Sequence, residues 1–104
     1  MAELYKASTP TITANLPSGV DLTNAIKVYV SFAKGERTFL TVKDPVIDGN
    51  KVKVFLSQEE TLMFPTGDVL IQLNWTYDDG EKVLRQPTNI GTIRIRRNLY
   101  DDVM

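Results

Sequence analysis

The chain contains no cysteine and no histidine. Without cysteine there is no disulfide, no thiolate nucleophile and no cysteine-based zinc site. Without histidine the commonest general base and the commonest imidazole metal ligand are both missing. Neither a Ser-His-Asp nor a Cys-His mechanism can be assembled, so any chemistry must run on carboxylates, lysine or tyrosine. Long apolar runs are absent as well, and nothing approaches the roughly 20 residues of a membrane-spanning helix. The opening Met1-Ala2-Glu3-Leu4-Tyr5-Lys6 lacks the charged segment and apolar stretch of a secretory signal. The expectation is synthesis and folding in a cytoplasm, a location compatible with later release in a virion, with no membrane partner and no cofactor.

Charge of one sign is also scarce. Twelve basic against 13 acidic residues leave a formal net charge of −1, which argues against global attraction to nucleic acid and leaves only local patches. What is present is ordinary globular material: 104 residues, 42% hydrophobic and 24% charged. That length suffices for one domain with one core, spanning 1–104 with loose ends at 1–9 (a loose arm or a short edge strand) and 98–104.

The organising signal is alternation. In Val69-Leu70-Ile71-Gln72-Leu73-Asn74-Trp75-Thr76-Tyr77, the odd positions are apolar or aromatic and the even ones mostly amide or hydroxyl. Strand side chains alternate between faces, so this is a half-buried antiparallel strand with Trp75 aimed at a core, entering a turn at Asp78-Asp79-Gly80. The same period marks 26–32 and 38–42, joined by a hairpin turn at Lys34-Gly35-Glu36. Lys51–Leu56 alternates after an Asp48-Gly49-Asn50 turn. Thr11–Leu16 is bracketed by Pro10 and Pro17, which places it at a sheet edge. Residues 17–24 form a crossover loop with room for one helical turn. Strand 82–86 returns from the Asp78 turn, Pro87 interrupts it, and 91–97 resumes after a bulge or a change of sheet. Ser57-Gln58-Glu59-Glu60 is a capping box, in which Ser57 accepts from the Glu60 amide and Glu60 reaches back; it predicts one turn of helix over 58–62. About seven short strands with closely spaced turns predict an all-β, immunoglobulin-like sandwich, with a small barrel as the alternative.

The stretch Leu56-Ser57-Gln58-Glu59-Glu60-Thr61-Leu62-Met63-Phe64, followed by Gly67, by Val69-Leu70-Ile71-Gln72-Leu73-Asn74-Trp75 and by an Asp-Gly turn, resembles small proteins encoded in prophages of Gram-positive bacteria. Asp21-Leu22-Thr23-Asn24-Ala25 resembles the lead-in to the first long strand of phage baseplate-type sandwich domains. The resemblance covers residues 20–97. It implies a structural or accessory protein of a virion tail or baseplate that works through protein partners or self-association, and it brings no catalytic residues.

Candidate surface residues follow from the same alternation. Tyr29, between Lys27 and Ser31, lies on the polar side of its strand, as do Gln72 and Asn74 on theirs. If the two strands are neighbours, the three make a polar-aromatic patch suited to protein or carbohydrate contact; otherwise they are a solvated sheet face. Arg94 and Arg96, with Arg97, Arg85 and Lys82, are the only basic concentration. They suit an anionic partner, or they guard a sheet edge or pair with Glu59, Glu60 or the acidic tail. The interleaved aromatics of single-strand nucleic-acid binders are missing. Trp75 reads as core packing in preference to a sugar-stacking ring. A carbohydrate platform calls instead for Tyr29 and Tyr77 on one open face. Asp44, Asp48 and Asn50 do not match a calcium loop, and Asp78 and Asp79 read as turn-formers. Asn74-Trp75-Thr76 matches a glycosylation sequon inside a strand and is read as chance.

Overall fold

The alternating stretch around Trp75 becomes the central strand of a sheet. A computed structural model describes residues 2–78, 80–100 and 102–104. Its elements are β1 (Ala2–Tyr5), β2 (Thr11–Asn15), β3 (Lys27–Lys34), β4 (Arg37–Val42), β5 (Val46–Asp48), β6 (Lys51–Phe55), α1 (Gln58–Leu62), β7 (Gly67–Asp78) and β8 (Val83–Arg96). A five-stranded sheet in the order β1-β8-β7-β3-β4 packs against a three-stranded sheet in the order β2-β6-β5. Taking β2, β3, β5, β6, β7 and β8 as strands B, C, D, E, F and G reproduces the immunoglobulin partition of B, E and D against C, F and G. The strands fall in two sheets and do not close into a barrel.

Burial follows the alternation. Val69, Ile71, Leu73 and Trp75 on β7 are buried, as are Val30 and Phe32 on β3, Ile93 and Ile95 on β8, and Leu4 on β1. Ile12 of β2 and Val52 and Val54 of β6 close the core from the opposite sheet. The capping box forms as expected, with the Ser57 hydroxyl accepting from the Glu60 amide and a Glu60 carboxylate oxygen accepting from the Ser57 amide. The helix then delivers Phe64 to the core, where its ring lies 5.2 Å from that of Phe32 and 4.9 Å, edge-on, from that of Phe39. Buried Thr61 ties the helix down by donating to the Ser8 carbonyl at 2.7 Å.

Gly35 adopts φ +61° as the first residue of the loop between Lys34 and Arg37. That is the type II′ pattern that matches strand twist, which makes the hairpin tight.

Four features depart from the sequence reading. Among the described residues there are eight strands, because β1 and the short 46–48, which pairs with β6, are added while 82–86 and 91–97 form one strand. Of the two readings of the N-terminal segment the short edge strand is the one that forms, so 1–9 is not a loose end throughout; it pairs in parallel with β8, Leu4 opposite Ile95. β8 runs unbroken through Pro87, which sits opposite Asn74. Proline is tolerated there because β1 reaches only Ile93–Arg96, leaving the earlier part of β8 at the sheet edge; the irregularity falls instead at Ile90, which the pairing skips between Asn89 and Gly91. Finally, the chain end folds back, with Asn98 Nδ2 donating to the Lys6 carbonyl at 2.9 Å and the Met104 amide donating to Gln58 Oε1 at 2.9 Å. In the 17–24 crossover, turns stand where the sequence left room for a helical turn. Asp79 and Asp101 lie outside the described residues.

Phe64 and Ser57 should separate core from cap in urea unfolding. Phe64→Ala is expected to cost about 3–5 kcal/mol, and Ser57→Ala only about 1 kcal/mol. Equal losses would contradict this division.

Candidate interaction surface

Register decides which polar residues meet. β3 and β7 pair antiparallel, with Tyr29 opposite Asn74 and Ser31 opposite Gln72. On the other side of β7, Gln72 faces Asn89, Asn74 faces Pro87 and Thr76 faces Arg85. Directly opposed residues of an antiparallel pair share a face, so Tyr29, Gln72, Asn74, Thr76, Arg85 and Asn89 all stand on the outer face of the five-stranded sheet. The adjacency that the sequence left conditional is therefore present.

Four of these side chains, Arg85, Asn74, Gln72 and Asn89, form a directed hydrogen-bond chain. Arg85 Nε donates to Asn74 Oδ1 at 3.2 Å, Asn74 Nδ2 donates to Gln72 Oε1 at 3.4 Å, and Gln72 Nε2 donates to Asn89 Oδ1 at 3.1 Å. Lys43 Nζ lies 5.7 Å from the centre of the Tyr29 ring, within cation–π range. Ser31 and Thr41 hydroxyls meet at 3.0 Å. The face is thus ordered in advance, although each link is a modest hydrogen bond in a wet setting.

Arg94 and Arg96 lie on the same face but at its other end. Arg94 opposes Asp68, six residues along β7 from Asn74, a separation of about 20 Å at strand rise. Both arginines are occupied. Arg96 grips Glu3 with two bonds, Nε to Oε2 at 2.9 Å and Nη2 to Oε1 at 3.1 Å, and Arg94 pairs with Asp68 at 3.7 Å. Among the described residues their partners are thus neighbours in the sheet, and not Glu59, Glu60 or Asp102. Nor does this part of β8 form an edge, because β1 covers it. Arg85 departs from the basic group altogether and joins the Tyr29 cluster.

The remaining candidates are dispersed. Trp75 is only 8% exposed and packs as core. Tyr77 points to the inner side of its sheet, opposite in sense to Tyr29, so the two make no common platform. Tyr77 and the Trp75 edge instead line an open cleft of about 510 Å³ with Asp21, Asn24, Asp78 and Gln86. Hydrogen bonds from the Thr23 hydroxyl and amide hold the Asp21 carboxyl below its ordinary pKa. Asp78 accepts from the Gly80 amide at 2.9 Å, as a turn-former does. Asp48 is engaged by Lys53 at 3.2 Å. Among the described residues, no group of three or more acidic side chains could hold a metal ion.

Alternation alone does not assign Arg85, Asn89 and Lys43 to this patch. A legible signal exists for the first two: a hairpin closing at Asp78 and Val83 puts Arg85 beside Thr76 by simple counting, and Asn89 beside Gln72 once the skipped Ile90 is known. Lys43 follows only from the three-dimensional fold. Compared with known proteins, the chain matches no family model and no curated protein sequence.

The Glu3–Arg96 clamp makes β1 acid-sensitive. The two Arg96 hydrogen bonds hold the Glu3 carboxyl below its usual value. A depressed carboxylate contributes above the unfolded-state pKa, and its contribution is lost as pH falls through the folded-state value. Glu3→Gln should therefore speed amide exchange at Leu4 and Lys6, whose N–H groups face β8, near neutral pH, with the difference from wild type vanishing once Glu3 is protonated. A pH-independent difference would contradict the clamp.

Proposed function

We propose that this chain is a non-enzymatic interaction protein that docks neighbouring protein subunits, copies of itself included, through the outer face of its five-stranded sheet. The observation that carries the reading is the β3–β7–β8 register, which sets Tyr29 beside the hydrogen-bonded Gln72, Asn74, Arg85 and Asn89 in one patch. Tyrosine and arginine are the side chains most enriched where proteins meet. Side chains already held by one another lose less freedom on docking, which lowers the entropic cost of association. The absence of histidine and cysteine supports a binding role over a catalytic one. The resemblance of 56–75 to prophage-encoded proteins supports a place in a phage particle, as a tail or baseplate accessory.

A second reading is a carbohydrate-binding module. The cleft beside Trp75 and Tyr77 favours it, since aromatic edges flanked by amides and carboxylates suit a polyol. The outer-face reading takes precedence because its groups are fixed by hydrogen bonds to one another.

Light scattering coupled to size exclusion tests the docking face. The wild-type chain should form a discrete oligomer at high concentration, and Tyr29→Ala combined with Asn89→Ala should shift it to monomer without changing the circular dichroism spectrum. A monomer at every concentration and salt would overturn self-assembly through this face.

A further inference from the structure

At the Tyr29 end of the outer face lies a small hollow of about 100 Å³, lined by Lys27, Tyr29, Asn74, Trp75, Thr76 and Arg85. Its lining contains two cations and no carboxylate. Among the described residues neither Lys27 nor Arg85 forms an ion pair, whereas Arg94 and Arg96 at the far end are both neutralised. Lys43, over the Tyr29 ring, adds a third positive charge nearby. A cluster of like charges in a chain of net charge −1 is a repulsive arrangement that an anion would relieve.

A second observation concerns the same lining. Thr76 Oγ1 is buried and, among the described residues, has no hydrogen-bond partner. Buried hydroxyls are almost always satisfied, and leaving one unpaired is costly. A threonine hydroxyl can donate, as can the guanidinium of Arg85, which uses its Nε on Asn74 and retains the N–H groups of its two terminal nitrogens. Donors on two sides, an ammonium, a planar fork and a volume of a few heavy atoms fit a carboxylate.

We propose that the hollow formed by Lys27, Thr76 and Arg85 receives the carboxylate of an aspartate or glutamate side chain carried by the docked protein. This rests on the docking-face reading and adds the chemistry of the partner: an acidic residue at the centre of its contact surface. Asn74 holds Arg85 in place by accepting from Nε, and so acts as a positioning residue.

The test is an NMR titration of the ¹⁵N-labelled chain with a blocked hexaglutamate peptide, with hexaglutamine and inorganic phosphate as the other arms. Hexaglutamate should shift the Arg85 Nε–H and the Thr76 amide saturably, and added salt should weaken it; hexaglutamine should do nothing. Arg85→Gln should weaken the peptide about 10-fold, the size expected for a charge-assisted hydrogen bond. Thr76→Val provides the sharper discrimination. Removing an unpaired buried hydroxyl should leave the melting temperature unchanged or raised, while peptide binding weakens about threefold. A merely structural threonine would lower the melting temperature and leave binding untouched, which would overturn the assignment. Saturation by phosphate without response to the peptide would also overturn it. Flat spectra in all arms would overturn the pocket alone, because the docking face is judged separately by whether the Tyr29 and Asn89 substitutions dissociate the oligomer.

Discussion

The burial of one side of β7 sets nearly everything else in the molecule. Val69, Ile71, Leu73 and Trp75 occupy the middle of the larger sheet, with Val30 and Phe32 on one flank and Ile93 and Ile95 on the other. A strand whose alternate residues are locked into a core cannot slip by one position without turning that core row out to water. The position of Gln72, Asn74 and Thr76 on the outer face is the other half of the same constraint. Tyr29 and Arg85 meet Asn74 and Thr76 because β3 and β8 must register on β7 to bury their own apolar rows. The polar outer face is thus a consequence of core packing, with no separate device needed to assemble it.

Much of this was legible in the residues. Period-two alternation located β3, β4, β6 and β7, and Ser57-Gln58-Glu59-Glu60 placed α1 at Gln58–Leu62. These features are local, governed by propensity, capping and turn chemistry. Strand adjacency was not legible, since the paired residues of β3 and β7 lie 37 (Ala33 and Leu70) to 49 (Lys27 and Thr76) positions apart and nothing local names a strand's neighbour. The parallel seat of β1 beside β8 was hidden for the same reason. Pro87 misled in the opposite direction: proline breaks a strand where its missing N–H would have joined a ladder, and at Pro87 the flank of β8 away from β7 is open. Likewise the basic residues of 82–97 looked like one group in sequence, yet pairing sent Arg94 and Arg96 to Asp68 and Glu3 and left Arg85 with Asn74.

The two ends of the outer face therefore differ in electrostatic character. At one end cross-strand carboxylates satisfy the arginines and hold the terminal strand. At the other, among the described residues, Lys27 and Arg85 form no ion pair and the buried Thr76 hydroxyl has no hydrogen-bond partner. Groups left unsatisfied in a folded domain weaken it slightly, and such sites concentrate where a partner supplies the missing half. That asymmetry gives the face a direction.

Native-state hydrogen exchange followed by NMR across increasing urea tests the central place of β7 most directly. Exchange through partial openings ranks segments by the free energy needed to expose them. If β7 organises both faces, the amides of Ile71, Leu73 and Trp75 should exchange only with global unfolding, while those of the edge strands β2 and β4 are released earlier. Should the β7 amides exchange at lower free energy than those of β6, the register would not depend on β7, and the claim that its burial organises both faces would be contradicted.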